Sequence, residues 1–435
     1  KKKRSLFKRK QSCVYWNPNI ITMDPSASMH HLHPYQKILT KLNFFLLLGL
    51  VATLFFDQGR YKLLNYLIEI VTLVLIVGCC FNKQNANIRK QVFAGLFVAS
   101  ILLLNQLLSK ELQWPKGEIK DLFFMLCVAA AVAVLPNETT LDEKKYRLLA
   151  ISLLIVVTCV VYLGLIYLKG YPFGPFKNPH FLSLQIVVLA NTAIFFSLNF
   201  QGIRRVVGLG VLVLSIFTLT LIVSRIAWVA LAVSSVIWAG LIFKDKKYVT
   251  LIILAFTIAG IYASTLVSYA SGPVAALATA DNASIVEIWD DERVILWTDT
   301  VQMQKDSDLK GWLVGHGLGN FRDAFYAYSS YGGLRKSSVD VEYVFPHNFI
   351  LEVLYNSGII GLLSLTIPLI YIVSKTLKRT GNRNYPAILA LALLAGVFIH
   401  TFFTLPLLTS FPSTSLGLTL GYCLWIARST TDEVQ

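Results

Sequence analysis

The sequence predicts an all-helical integral membrane protein that crosses the bilayer about twelve times. Of its 435 residues, 55% are hydrophobic and only 14% are charged, whereas a soluble chain carries roughly 25% charged residues. The apolar residues are gathered in runs, and a helix needs roughly 20 residues to cross about 30 Å of hydrocarbon. This composition excludes a soluble enzyme. The basic residues lie between the apolar runs and not on one face of a soluble domain, which argues against nucleic-acid binding.

The apolar runs and the segments between them define the predicted organisation. A basic tail (1–37) precedes nine spans (38–268), a hydrophilic loop with amphipathic helices (269–346), three further spans (347–427) and a short tail (428–435). The twelve candidate spans are 38–56, 62–81, 91–108, 121–135, 147–168, 180–200, 206–223, 226–243, 248–268, 347–374, 385–405 and 407–427.

The net charge of +15 indicates how the chain is oriented. Lys and Arg prefer cytoplasmic loops. With the N-terminus inside, the cytoplasmic loops hold about twice as many basic residues as the short outer loops. Both tails are therefore predicted to be cytoplasmic and the 269–346 loop to lie outside. That loop has more acidic than basic residues, so an anionic ligand would be held by particular arginines and not by a diffuse field.

Arg225 interrupts the apolar stretch 206–243. A single helix of that length would run about 57 Å, far beyond the bilayer, so we predict a tight hairpin at Ser224 and Arg225. An ionisable group at the outer interface is costly and suggests a function. The alternative is an arginine that ends a helix or pairs with lipid phosphate.

Two further charged residues are candidates. Arg293 lies in the segment 287–305, whose apolar residues recur at helical spacing among acids and predict an amphipathic helix lying on the membrane. A surface ion pair is the alternative role for Arg293. Asp57 ends the first span on the outside, where it is either an acid or base or simply a helix-end residue.

His347 opens the tenth predicted span at the outer interface. Gly358 follows eleven residues later, so an unbroken helix would place both residues on one face. Histidine titrates near neutral pH and suits general-base catalysis. A capping or interfacial role is the alternative.

Several other patterns carry weaker predictions. The glycines at 315, 317 and 319 could offer N–H groups to a phosphate, although a turn is favoured. Asp306 and Asp308 are predicted to lie on a solvated face, Glu69 must be paired, protonated or line water, and His400 has no assigned role. The cysteines show no metal-ligand spacing, and His30, His31 and His33, which could bind metal, are predicted to have no role in the N-terminal tail, so no metal or cofactor is predicted.

Taken in order, the motifs resemble those of the lipid A-core O-antigen ligase and O-antigen polymerase superfamily. They are Ser224-Arg225-x-x-Trp228, Arg293-x-x-x-Trp297, GHGLGNF at 315–321, and His347-Asn348 followed ten residues later by Gly358. The GPFKNPH stretch at 174–180 is a further similar feature, and the likeness covers roughly 170–400. This sequence departs from the pattern in its short loop and in His316.

The resemblance implies a glycosyltransferase-C-like enzyme at the periplasmic face of the Gram-negative inner membrane, working without nucleotide or metal. Its donor would be O-antigen glycan on undecaprenyl diphosphate and its acceptor a sugar hydroxyl of lipid A-core. Arg225 and Arg293 match the arginines assigned to the donor diphosphate, and His347 matches the proposed base. Trp297, Asn348, Gly358 and Asp57 are possible supporting residues.

The acceptor and the class of activity stay open at this point. An O-antigen polymerase or a protein O-oligosaccharyltransferase would share the donor site and differ in the acceptor. A flippase or other transporter of polyprenyl-linked glycans would use Arg225 for binding only. It predicts that Glu69 and other intramembrane polar groups line a path, and that His347 is dispensable.

Overall fold

The structure is a computed structural model that describes most of the spans and part of the loop. The described residues are 42–47, 49–50, 62–81, 95, 97, 100–108, 116–133, 179–222, 224–242, 255–263, 296–329, 345–381, 384–404 and 410–428.

Ten helices have both ends within these ranges, and no strand occurs in them. They are α1 (Lys62–Phe81), α2 (Lys116–Ala133), α3 (Pro179–Asn199), α4 (Ile203–Ile222), α5 (Arg225–Ile242), α6 (Leu309–Val314), α7 (Phe321–Tyr328), α8 (Phe349–Leu377), α9 (Tyr385–Thr404) and α10 (Ser410–Arg428). Residues 100–108, 255–263 and 296–305 are also helical.

The helices form a bundle in which α9 is central and packs against α3, α5, α8 and α10. The backbones of α10 and α2 approach each other closely. A Cβ at Gly417 would lie 2.7 Å from the Met125 carbonyl oxygen, and one at Gly421 would lie 2.5 Å from that of Ala129. Two glycines one turn apart thus bring the two backbones together, as small residues do between membrane helices.

A buried polar layer fixes the register of α3, α5 and α9. Asn191 donates a hydrogen bond to Ser234 Oγ at 3.0 Å and accepts one from Trp238 Nε1 at 3.1 Å. Gly396 of α9 lies against the same pair, because a Cβ there would be 3.6 Å from Asn191 Nδ2 and 3.7 Å from Ser234 Cβ. These hydrogen bonds, satisfied within the apolar bundle, hold α3 and α5 at one relative height, and Gly396 lets α9 pack against the bonded pair.

One end of the bundle, here called the upper end, is where α3, α5 and α8 begin and α9 ends. Trp238, late in α5, packs against Ile388, early in α9, so these helices are antiparallel. The first turn of α3 reaches His400 near the end of α9. The opposite, lower end carries basic residues of α4 and α8 and of the turn after α8: Arg204, Arg205, Lys375, Lys378 and Arg379.

Five helices among the described residues are long and apolar enough to cross a membrane: His180–Asn199, Ile203–Ile222, Arg225–Ile242, Phe349–Leu377 and Tyr385–Phe403. The segment 62–81, predicted as a span, is a helix with those same ends. The predicted span 147–168 lies outside the described residues, and the spans 38–56, 91–108 and 248–268 are described only in part.

The loop helix at 296–305 is amphipathic, but its buried face packs against protein. Leu296 and Met303 form a cluster with Phe321 and Phe325 of α7 and Tyr355 of α8. The prediction that this segment lays its apolar face on the membrane is therefore wrong for these residues, because α7 and α8 already cover that face.

Candidate active site at the upper end

His347 lies in a turn that precedes α8, not within the helix. Its φ is 48°, a left-handed value that is uncommon for a residue with a side chain. Asn348 is the N-cap of α8, and its side-chain oxygen accepts hydrogen bonds from the backbone N–H groups of Ile350 at 3.1 Å and Leu351 at 3.2 Å. The helix thus begins at Phe349, two residues after the start of the predicted span, because the side chain of Asn348 caps it.

Trp297 holds the His347 turn from the loop side. Its indole N–H donates a hydrogen bond of 2.8 Å to the carbonyl of Pro346, the residue before His347. Its ring lies 6.4 Å, centroid to centroid, from that of Phe403 at the end of α9. The Trp of the Arg-x-x-x-Trp motif therefore fastens the backbone of the candidate base to the upper end of the bundle. Arg293, the first residue of that motif, lies outside the described residues, as does Asp57.

Gly358 produces a kink in α8. Its φ of 62° and ψ of −168° are not helical, so the expectation that His347 and Gly358 share one face of a continuous helix is wrong. A Cβ at Gly358 would overlap the Leu313 carbonyl, and a Cβ at Gly315 would lie 2.5 Å from the Asn356 carbonyl. Gly358 does permit a close approach, as expected for glycine, and the partner is the loop segment that ends α6.

The glycine-rich turn at 315–319 uses its N–H groups within the protein. His316 N–H and Gly317 N–H donate to the carbonyls of Tyr355 and Asn356, each at 2.9 Å. Leu318 N–H donates to Gln106 Oε1 at 2.8 Å. The kink frees helix carbonyls, and the turn supplies hydrogen-bond donors for them. The prediction of a turn is therefore confirmed. Because the N–H groups of His316, Gly317 and Leu318 are bonded within the protein, they do not bind a phosphate.

His316, the departure from the family-like pattern, has a structural setting. Its ring stacks on Tyr355 with centroids 4.5 Å apart, and its Nε2 lies 2.7 Å from Ser307 Oγ. Ser307 in turn donates to the Met303 carbonyl at 2.8 Å. The side chain ties the loop helix at 296–305 to α8.

The two aspartates near the loop helix are also structural. Asp308 caps α6 by accepting a 2.8 Å hydrogen bond from Gly311 N–H. Asp306 accepts hydrogen bonds from Gln302 Nε2 at 3.0 Å and from the Tyr328 hydroxyl at 2.7 Å. The bond to Asp306 raises the pKa of Tyr328. Both carboxylates belong to exposed residues, which confirms the predicted solvated face.

Arg225 is the first residue of α5 and is exposed. Because α4 ends at Ile222, the predicted tight hairpin is confirmed. Ser224 is only 3% exposed. Its carbonyl accepts from the N–H groups of Ala227 at 3.1 Å and Trp228 at 3.4 Å, while its hydroxyl has no hydrogen-bond partner among the described residues.

Trp228 fixes the rotation of α5 below Arg225. It is buried, and its ring packs edge-on to Phe256 at 6.0 Å. A Cβ at Gly260 would lie 2.5 Å from the Trp228 ring, so this glycine makes room for the indole. The Trp of the Ser-Arg-x-x-Trp motif is thus the anchor that places the arginine at the upper end.

Two histidines lie close together at the upper end, a contact that was not predicted from the sequence. His180, in the first turn of α3, lies 6.4 Å from His400 of α9, centroid to centroid. His400 is fully buried, and its Nε2 lies 2.8 Å from Ser183 Oγ. The sequence signal was a histidine at the outer end of each of two apolar runs, but nothing in the sequence pairs residues 220 positions apart.

Glu69 lies on α1, one turn after Tyr66. Lys120 of α2 stands 4.9 Å from the centre of the Tyr66 ring, so a cation is near this part of α1. The Glu69 carboxyl oxygen Oε1 is buried and accepts no hydrogen bond among the described residues.

The fold and the upper-end site define an all-helical membrane protein, with candidate polar groups where an apolar bundle meets an ordered loop. Residues 210–366 match the family model described as O-antigen ligase. This match covers a little over a third of the chain, contains Arg225, Trp297, His347 and Gly358, and supports membership of the O-antigen ligase family. A search of curated proteins gave no match.

Proposed function

We propose that the protein is a membrane glycosyltransferase that moves O-antigen glycan from undecaprenyl diphosphate to a sugar hydroxyl of lipid A-core. The proposed enzyme has about twelve spans in a glycosyltransferase-C-like arrangement and lies in the Gram-negative inner membrane. The proposal includes the bounds of the tails, spans and loop that were predicted from the sequence, with the 269–346 loop on the outer side of the membrane. The family match supports ligase-type or polymerase-type chemistry in general.

The proposed sidedness rests on charge. The lower end carries Arg204, Arg205, Lys375, Lys378 and Arg379, and basic residues prefer the cytoplasmic side. The upper end then faces the periplasm, where a lipid-linked donor presents its diphosphate at the membrane interface.

The observation that carries the proposal is the His347 turn. A left-handed residue costs roughly 1–3 kcal/mol and tends to be kept where function requires it. Here the cap of Asn348 and the hydrogen bond from Trp297 hold that conformation from both sides. His347 is half-buried, so its ring lies at the margin between the bundle and the loop.

The proposed reaction assigns one role to each group. His347 takes the proton of the acceptor hydroxyl as its oxygen attacks the anomeric carbon, and the bond from that carbon to the diphosphate oxygen breaks. Undecaprenyl diphosphate leaves with the electron pair. Arg225 and Arg293 stabilise the negative charge that develops on it, which lowers the barrier because that charge is largest late in the reaction. Two guanidinium groups can do this without a metal.

The identity of the acceptor distinguishes the proposed ligase from the alternative enzymes. A polymerase would transfer to the growing glycan and a protein O-oligosaccharyltransferase to a protein hydroxyl, with the same donor groups. A flippase would need polar groups along a path through the bundle. Among the described residues, Asn191, Ser234 and Trp238 bond to one another, whereas the buried Oε1 of Glu69 accepts no hydrogen bond there, so the test below decides between enzyme and flippase.

The test uses the purified protein in lipid nanodiscs with a lipid-linked glycan donor. Three acceptors are offered separately: lipid A-core, a free glycan and a serine-containing peptide. Product on lipid A-core alone is expected, and it should disappear in His347→Ala and Arg225→Ala proteins that elute and unfold like the wild type. Donor translocation without product on any acceptor would overturn the enzyme assignment, and product only on glycan or peptide would replace the ligase by the corresponding alternative.

A further inference from the structure

The cluster of His180, Ser183 and His400 has no part in the reaction described above. His180 is half-buried in the first turn of α3, Ser183 lies one turn further, and His400 is fully buried on α9. All three lie outside the segment that matches the ligase family. They are polar groups at the upper end of an apolar bundle, where each is costly to bury unless it is hydrogen-bonded.

The hydrogen bonds indicate which residue of this cluster orients which. The Ser183 hydroxyl donates its single proton to the His180 carbonyl at 3.1 Å. Ser183 Oγ also lies 2.8 Å from His400 Nε2, and with the hydroxyl proton on the His180 carbonyl it is the Nε2–H tautomer of His400 that donates in this contact. His400 is held in one orientation, with its ring edge-to-face against that of His180 at an interplanar angle of 69°. The buried histidine thus supports the half-exposed one.

The register of the bundle sets His180 and Arg225 at nearly the same height. From the hydrogen-bonded pair Asn191 and Ser234, His180 is eleven residues back along α3 and Arg225 is nine residues back along α5. These distances are about 16 Å and about 14 Å along parallel helices. Since α3 packs directly on α5, and packed helices lie about 8–10 Å apart, the two residues lie at the same end of neighbouring helices. Arg225 is about half a turn round α5 from Ser234, and a side chain at the first residue of a helix points past the helix start, so the Arg225 guanidinium extends above the start of α5.

The start of α5 has a second feature that points to a ligand. The Ser224 hydroxyl is buried and has no hydrogen-bond partner among the described residues. It lies at the start of α5, and α3 and α5 both begin at the upper end, where they present the positive ends of their dipoles. A hydroxyl donor, a guanidinium and an imidazole between two helix starts are the groups that bind phosphate oxygens.

We propose that His180, together with Arg225 and Ser224, binds the diphosphate of a polyprenyl diphosphate, and that His400 and Ser183 are positioning residues for His180. This inference deepens the proposed function and rests on it for the identity of the ligand. It adds to the donor site a residue from α3. The donor site thus draws on a part of the chain that precedes the family-matched segment.

The experiment measures binding of farnesyl diphosphate to the full chain in detergent by isothermal titration calorimetry. Farnesol and inorganic pyrophosphate are titrated in parallel. His180→Ala is expected to weaken farnesyl diphosphate binding by about tenfold to a hundredfold, the size of a lost charge-assisted hydrogen bond. Ser224→Ala should weaken it by a smaller factor. Thr192→Val, a change on α3 lower in the bundle, is the matched control and should bind like the wild type.

The positioning role is tested at His400. His400→Gln keeps a donor for Ser183 Oγ and should retain binding, while His400→Phe fills the space without a donor and should resemble His180→Ala. Both proteins are first checked by gel filtration and thermal unfolding. Equal loss in both His400 variants, with folding retained, would overturn the positioning role.

The outcomes separate this inference from the proposed function. Wild-type affinity in His180→Ala, or equal binding of farnesol, overturns the inference even if glycan transfer to lipid A-core is observed. A wild type that binds farnesyl diphosphate through His180 but transfers no glycan supports the inference and refutes the proposed function. Failure of the wild-type protein to bind farnesyl diphosphate overturns the inference.

Discussion

Trp297 and Pro346 are joined by a hydrogen bond from the indole N–H of one to the carbonyl of the other, 2.8 Å long. The bond links the loop helix to the residue that precedes the candidate base. Since His347 has a left-handed backbone, the carbonyl on its N-terminal side helps to define where its ring points.

Trp297→Phe tests this link. Phenylalanine keeps a ring beside Phe403 but cannot donate to Pro346. We expect glycan transfer to fall by about tenfold, the equivalent of one lost buried hydrogen bond, with the acceptor KM little changed. The measurement is steady-state transfer to lipid A-core. An unchanged kcat would contradict this prediction, because the turn would then keep His347 in place without the hydrogen bond from the indole.

Gly358→Ala tests the contact between the loop and the kink in α8. Alanine would be strained at φ 62°, and its methyl group would overlap the Leu313 carbonyl. We expect a loss of about 1–3 kcal/mol in stability, seen as a lower unfolding temperature in detergent. Gly210→Ala is the control, because a Cβ at Gly210 meets nothing within 4 Å. Equal unfolding temperatures for the two variants would contradict the role of Gly358.

Gly260→Ala should act on Arg225 at a distance. The added methyl group would lie 2.5 Å from the Trp228 ring, so the indole that anchors the first turns of α5 must move. We expect weaker binding of farnesyl diphosphate by about tenfold, as one charge-assisted contact is misplaced. If binding is unchanged while the unfolding temperature falls, Trp228 stabilises the hairpin without placing the arginine.

His316→Phe separates a structural histidine from the candidate base. Phenylalanine retains the stacking on Tyr355 and loses the contact with Ser307. We expect a stability loss of about 1 kcal/mol and transfer activity within about twofold of the wild type. His347→Gln, by contrast, should lower transfer by about a hundredfold or more, as the loss of a general base does. Comparable activity losses in both variants would contradict this distinction.

Transfer is also expected to continue in the presence of a metal chelator. The proposed charge stabilisation comes from Arg225 and Arg293, and no bound cation is needed for it. Activity would be compared before and after dialysis against EDTA, with magnesium added back to the dialysed protein. A loss that magnesium restores would show that the two arginines are insufficient.

The sequence predicted the features that depend on local composition. The hairpin at Ser224 and Arg225 followed from the length of an apolar stretch that one helix could not span, and the structure confirms it. The cap at Asn348 and the kink at Gly358 were missed, because a glycine inside an apolar run is equally compatible with a continuing helix. The apolar face of the 296–305 helix was evident, but only the fold shows that α7 and α8 cover it.

The long-range contacts of the site were beyond prediction from one sequence. Gly315 meets Gly358 across 43 positions, and His180 meets His400 across 220. Each contact depends on which helices pack together. The roles of Arg293 and Asp57 stay predictions, since both residues lie outside the described part of the chain.

The glycine-rich turn at 315–319 is hydrogen-bonded to the kinked helix α8, and these bonds have a consequence for how substrates reach the site. The carbonyls of Tyr355 and Asn356 receive their hydrogen bonds from the turn. If the turn swung away, both carbonyls would lose their donors in a buried setting, at a cost of about 1–3 kcal/mol for each. The part of the loop at 309–319 therefore moves with α8 as one body and does not act as a hinged cover. Under the proposed function, a lipid-linked substrate would therefore reach the site without displacing residues 309–319.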